Sequence, residues 1–202
     1  NPFSRKDTEP VLNFLGNSMK ASLAPLKQIR IEQLSVKTEI PISSLTTAEV
    51  LKQELVGLIK LKTKDTLLNM DGNEYSIEAL EGKANLKKGV LTHNFSGIFL
   101  GSDFNTKGEL PLIKIKKDST TNIEWKNLNL AKVSLKKELP WKPKQGMASG
   151  KLAITGPLAN KKESFPGNLL GKFDVQLKDL ILTSNTSAPI ELSHLTVKGD
   201  FN

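Results

Sequence analysis

Apolar and polar residues alternate along most of this chain, and the alternation restarts repeatedly from glycine. A phrase of glycine, any residue, an apolar residue, any residue and a second apolar residue begins at Gly57, Gly82, Gly108, Gly150 and Gly171. Period two is the mark of a strand with one apolar face, and the glycine reads as a permissive backbone point at which such a strand starts. The glycines keep no constant spacing, so the phrase is a shared way of beginning strands and not the unit of a solenoid. The same alternation predicts strands over 29–40, 58–63, 66–70, 84–87, 90–99, 104–110, 113–116, 122–130, 133–136, 148–155, 172–178, 180–183 and 190–198. Asp71-Gly72 is a hairpin signal, with the chain returning through Tyr75, Ile77 and Ala79.

Two segments break the period. Residues 10–23 carry Val11, Leu12, Phe14, Leu15, Met19 and Leu23, close to the i, i+3, i+4 stripe of a short amphipathic helix that stops before Pro25. Thr46-Thr47-Ala48-Glu49 has the form of a capping box and predicts a second short helix through about residue 54. So many strands beside so few helices give a mainly β protein. The expected architecture is an elongated, curved antiparallel sheet, a half-barrel or β-groove, with one or two short helices near the N-terminus. We expect a single domain over 1–202, with 1–28 as a helical lead-in. The stretch 138–147, with two prolines and a glycine, is a candidate hinge.

An antiparallel sheet with one apolar face must close on itself, pack against a second layer, or hold an apolar ligand. Each large aliphatic side chain left in water forgoes about 1.5–3 kcal/mol, and two short helices are too little cover. The apolar positions of the predicted strands that would line such a groove are Leu86, Phe95, Phe99, Leu152, Ile154, Phe173, Val175 and Leu177. Trp141, in the Pro-Trp-Lys-Pro loop, is a candidate plug for a sheet end or a candidate contact to a membrane or a partner, since indole favours the border between apolar and wet surroundings.

Charge changes this picture little. The net charge is +8, but every basic residue except Arg5 and Arg30 is lysine and aromatics make up only 5%. Nucleic-acid recognition leans on arginine forks and stacked aromatics, so no nucleic-acid partner is expected. Lysine along strands is a solvated face that keeps a sheet soluble, with attraction to acidic lipid head groups as the second use. No motif supplies a reaction. His93 and His194 stand in separate strands, and the carboxylate pairs Asp174/Asp179 and Glu78/Glu81 sit among lysines. Asp71-Gly72-Asn73-Glu74 lacks the rest of a calcium loop. We expect no enzyme, no catalytic residue, no cofactor and no metal. The chain has no cysteine, opens on Asn1-Pro2, and contains no apolar run near the ~20 residues that span a bilayer. Membrane association is therefore expected through a segment outside this chain.

The run 79–110, ALEGKANLKKGVLTHNFSGIFLGSDFNTKGEL, resembles the AsmA-like superfamily of bacterial envelope proteins, in which a glycine-started strand, an aromatic–glycine step and a second glycine-started strand follow in this order. The runs 146–156, GMASGKLAITG, and 171–180, GKFDVQLKDL, are similar to another habit of that superfamily, a Gly-x-x-x-Gly-x-Leu phrase before a glycine-started strand. The resemblance covers residues 75–202. It implies a non-enzymatic protein on the periplasmic side of the inner membrane, with a β-groove for phospholipid acyl chains and a part in lipid handling and outer-membrane biogenesis, as in members like AsmA and TamB. The closing run 188–201, APIELSHLTVKGDF, is also similar to the type II secretion protein N branch. That branch implies instead an assembly component whose sheet edge contacts envelope protein partners.

Overall fold

A computed structural model gives the fold of the chain and describes residues 3–4, 26–40, 54–70, 73–111, 118–133, 140–156, 170–184 and 186–201. Among these residues ten strands form one antiparallel sheet in strict sequence order, curved and unclosed. They are β1 (Phe3–Ser4), β2 (Leu26–Glu39), β3 (Val56–Met70), β4 (Asn73–Lys87), β5 (Val90–Phe99), β6 (Ser102–Pro111), β7 (Ser119–Asn129), β8 (Lys142–Gly156), β9 (Leu170–Thr183) and β10 (Ile190–Phe201). The antiparallel β-groove expected from the alternation is thus the observed sheet. Residues 10–23 and 46–53 lie outside the described residues, and of the second helix only Glu54 is described, in helical conformation. The helical content of the rest is a three-residue 3-10 turn at Leu130–Lys132, capped by Asn129.

Tight turns set the register. Lys88 and Gly89 (φ 51° and 68°) join β4 to β5, and Leu100 and Gly101 (φ 53° and 77°) join β5 to β6. Two consecutive positive φ values are those of a type I′ turn, whose twist matches that of the strands it joins. Gly101 N also donates to Glu78 Oε1 at 2.8 Å. Met70 pairs with Asn73, so the strands on either side of Asp71-Gly72 do form a hairpin; those two residues lie outside the described set.

Four predicted strands merge into two, because what reads as a gap is a phase shift. Asp65 (φ 50°) sits inside β3, between the predicted strands 58–63 and 66–70, and Asp179 (φ 50°) sits inside β9, between 172–178 and 180–183. Asn127 (φ 55°) does the same in β7. Asp and Asn tolerate this left-handed conformation better than other side chains. One extra residue there lets positions three apart share a face. Thr63 and Thr66 are both buried and their hydroxyls are 3.1 Å apart. The irregularity at Asn127 is held by its neighbours: Ser102 Oγ donates to Asn127 O at 2.9 Å, and Asn127 N donates to Ser149 Oγ at 2.9 Å.

Other differences are at the ends of elements. Val133 follows the 3-10 turn and is not in a strand; predicted residues 113–116 and 134–136 lie outside the described set. β8 starts at Lys142, earlier than the alternation suggested, so residues 142–147 of the candidate hinge run as strand beside β9. Pro143 is accommodated there next to a register shift, one of the few places a sheet accepts proline.

Directly opposed residues of an antiparallel pair point to the same face, so the register assigns every side chain to one of two faces. One, here called the inner face, is the sheltered one. Strand contacts are made essentially with sequence neighbours, and no second layer is present among the described residues. Ala84, Ala148 and Leu180 are the buried apolar side chains of the described part.

Candidate functional site

The inner face can be read row by row across the sheet. One row runs Val36, Ile59, Ala84, His93, Gly108, Thr121, Ile154, Gly171, Phe201 from β2 to β10. The next runs Leu34, Leu61, Gly82, Phe95, Thr106, Ile123, Leu152, Phe173, Gly199. A third runs Ile31, Thr63, Leu80, Gly97, Phe104, Trp125, Gly150, Val175, Val197. Beyond it, Phe99 lies opposite Ile77 and Ser102, and Leu177 lies opposite Ala148 and Leu195. None of these positions holds a carboxylate, an ammonium or a guanidinium, and His93 is their one ionisable side chain.

All eight residues expected to line a groove, Leu86, Phe95, Phe99, Leu152, Ile154, Phe173, Val175 and Leu177, fall on this one face and are half-buried. Trp141 does not join them. It precedes β8 as a half-buried residue in a bend.

The glycines of the recurring phrase have a different purpose from the one their sequence suggests. Gly82, Gly108, Gly150 and Gly171 do not need a left-handed backbone, since none of them has positive φ. Each lies directly opposite a ring on the inner face: Phe95, His93, Trp125 and Phe201 respectively. Gly97 and Gly199, outside the phrase, do the same for Phe104 and Phe173. A Cβ on Gly82 would stand 2.6 Å from Phe95 Cδ1, and one on Gly150 would stand 2.7 Å from Trp125 Cζ2. The rings lie across the bare backbone, which protects it and anchors the register. Gly57 is the exception, facing Leu86 at an ordinary 3.6 Å. The signal was present in the sequence as mirror symmetry: Gly97/Phe104 and Gly108/His93 are equidistant from the turn at Leu100-Gly101, and Gly82/Phe95 from the turn at Lys88-Gly89.

The outer face takes the charge. Lys60, Lys62, Lys64, Lys83, Lys107, Lys126, Lys151, Lys172 and Lys198 all alternate outward, among Glu81, Asp103, Glu124 and Asp174. Ion pairs cross between strands at Lys198–Asp174 (2.8 Å), Lys151–Glu124 (3.3 Å) and Lys62–Glu32 (3.7 Å), and Lys27 pairs with Glu74. Such exposed pairs contribute about 0–1 kcal/mol each, so their effect is chiefly on solubility. A shallow depression of about 690 Å³ is lined by Lys62, Lys64, Glu78, Glu81 and Asp103 together with Leu80, Ile98 and Phe104. Among the described residues no group of three or more His, Asp or Glu is placed to hold a metal ion.

The carboxylates considered for acid–base chemistry are dispersed. Asp174 pairs with Lys198, Asp179 makes the phase shift in β9, Glu78 accepts from the Gly101 amide, and Glu81 is exposed. His194 is exposed, with Nε2 3.3 Å from Thr196 Oγ1. His93 differs, because burial pushes its imidazole below the ordinary histidine pKa. Its Nε2 is 3.4 Å from Thr106 Oγ1, while its Nδ1 is shut off from solvent without a partner. Trp125 Nε1 is the other such buried nitrogen. No helix of the described residues is long and apolar enough to cross a membrane. Comparison with family models, with curated proteins and with solved structures returns no match.

Proposed function

We propose that this chain is a non-enzymatic bacterial envelope protein on the periplasmic side of the inner membrane, whose sheet shelters phospholipid acyl chains in lipid handling and outer-membrane biogenesis. The observation that carries the reading is an inner face without fixed charge from β2 to β10, with no second layer over it among the described residues. Eight inter-strand steps of about 4.8 Å make that face about 38 Å long across the strands. The acyl region of one bilayer leaflet is about 15 Å deep, half of the hydrocarbon core, so an ordinary acyl chain fits along it. Leu34, Val36, Ile59, Ile190, Leu195, Val197 and Phe201 remain 37–57% exposed, and covering each offers about 1 kcal/mol. The resemblance of residues 75–202 to AsmA-like proteins points the same way.

The test is extraction and mass spectrometry of lipid from chain purified without detergent. Phospholipid at a reproducible stoichiometry is the expected result, and protein that is folded but free of lipid, and that takes none from vesicles, would overturn the reading. A second reading has its own observation. β10 pairs with β9 from Ile190 to Phe201 but has no strand on its other side among the described residues, and an open edge is a template for strand addition. This suits an assembly component like type II secretion protein N. Photocrosslinkers at exposed Thr196 and Lys198 should then capture an envelope protein in cells, and the absence of any adduct would dismiss it.

A further inference from the structure

The acyl-chain reading leaves open what the face does with the polar part of an amphiphile, and the inner rows contain one place suited to it. His93, Gly108 and Thr121 are consecutive in a row across β5, β6 and β7, and Thr106 stands two residues from Gly108 on the same face. Apolar residues border the group: Ala84 and Ile154 at the ends of the row, and Phe95 and Ile123 beside Thr106. Gly108 leaves a gap in the middle, across which the imidazole lies with Cε1 2.8 Å from where a Cβ would stand.

We propose that His93, Thr106 and Thr121, grouped around Gly108, are a polar stop that receives the uncharged ester carbonyl of an acyl lipid lying along the sheet. This inference rests on the acyl-chain reading. Three observations select the chemistry. The three rows carry no cation, so a phosphate or carboxylate finds no counter-charge there and its desolvation goes uncompensated. The imidazole is held neutral by burial, which leaves it one N–H donor and one acceptor nitrogen. The 3.4 Å contact between Thr106 Oγ1 and Nε2 takes either direction according to the tautomer; in the tautomer where the hydroxyl donates, the ring proton sits on Nδ1, where no acceptor is present. A buried donor left unpaired costs about 1–3 kcal/mol. A carbonyl oxygen would satisfy it once a partial turn about the soft Cβ–Cγ torsion uncovers Nδ1 while Nε2 stays within reach of Thr106 Oγ1. The charged head group of a phospholipid would then extend beyond the face.

The carbonyl can be isolated by comparing 1-oleoylglycerol with the matching ether, 1-O-oleylglycerol, by equilibrium dialysis of the radiolabelled lipids below their aggregation threshold. The whole chain should bind the ester about tenfold more tightly than the ether, the factor expected of one hydrogen bond. In H93L/T106V the ester should fall to the affinity of the ether, with the ether unchanged. Equal binding of the two lipids by the unaltered chain, or a double variant that keeps the preference, would overturn the proposal while leaving the acyl-chain reading in place. Binding of neither lipid overturns both. If H93L/T106V does not fold, the isosteric T106V carries the test: it should narrow the ester preference by removing the hydroxyl that pairs with Nε2, and an undiminished preference counts against the proposal.

Discussion

The two faces of this sheet share every backbone atom and differ in almost everything else. Residues one position apart meet opposite surroundings: Ala84 is buried between Ile59 and His93, while Lys83 beside it is exposed between Lys60 and Asn94. In a sandwich the apolar face would be consumed by a partner sheet. Among the described residues it accounts for few buried side chains and many half-buried ones. The ladder, the turns and the rings on their glycines hold the sheet together, and among the described residues no second layer lies over the inner face.

The strongest way to break the comparison is to make the same substitution on both sides. Ala84→Asp places a carboxylate on the inner face in a site only 6% exposed, and should cost about 3 kcal/mol or more. Ala153→Asp, on the outer face opposite Asn122 and Lys172, should stay within about 0.5 kcal/mol of the parent. Urea unfolding of both proteins measures the difference; equal effects would mean that the faces are not distinct. The next effect separates ring seats from ordinary glycines. Gly150→Ala drives a methyl into Trp125 and into the backbone at Asp174 O, 2.7 Å away, and should cost about 1–3 kcal/mol. Gly57→Ala meets Leu86 at 3.6 Å and should be neutral or gain up to about 1 kcal/mol from reduced chain entropy. Thermal melts of the pair decide it, and a Gly150→Ala protein as stable as the parent would remove the seats from the account.

The smallest effect concerns His93. Its folded-state pKa lies below the unfolded value near 6.5, so the unfolded chain binds more protons in the interval between the two. Stability contributed by this neutral ring is full above about pH 6.5 and declines as pH falls toward the folded pKa. Relative to H93L, the parent should therefore lose stability modestly as pH falls below about 6.5. Parallel parent and H93L curves would show that the ring does not titrate on the inner face.

Much of this was legible in the alternation alone. Period two assigned Leu86, Phe95, Phe99, Leu152, Ile154, Phe173, Val175 and Leu177 to one face, because strand periodicity needs no tertiary information once the turns fix the register. It failed at Asp65 and Asp179, where an added residue inverts the phase and one strand looks like two. It also misread the phrase glycines, whose purpose depends on a ring in the neighbouring strand and cannot be seen within five residues. The polar stop was missed for the same reason: His93, Thr106 and Thr121 come from three strands, and nothing in the local sequence of any one of them marks it.

The phase shifts at Asp65, Asn127 and Asp179 bear on how such a chain can change length. Within a regular strand, losing one residue turns every later side chain to the wrong side. Removing Asp65 does not, because Lys64 already points outward and Thr66 inward, so alternation simply resumes across the gap. The interior of β3 thus contains a position where a single-codon deletion preserves the inside and outside of the protein, a freedom usually reserved for loops.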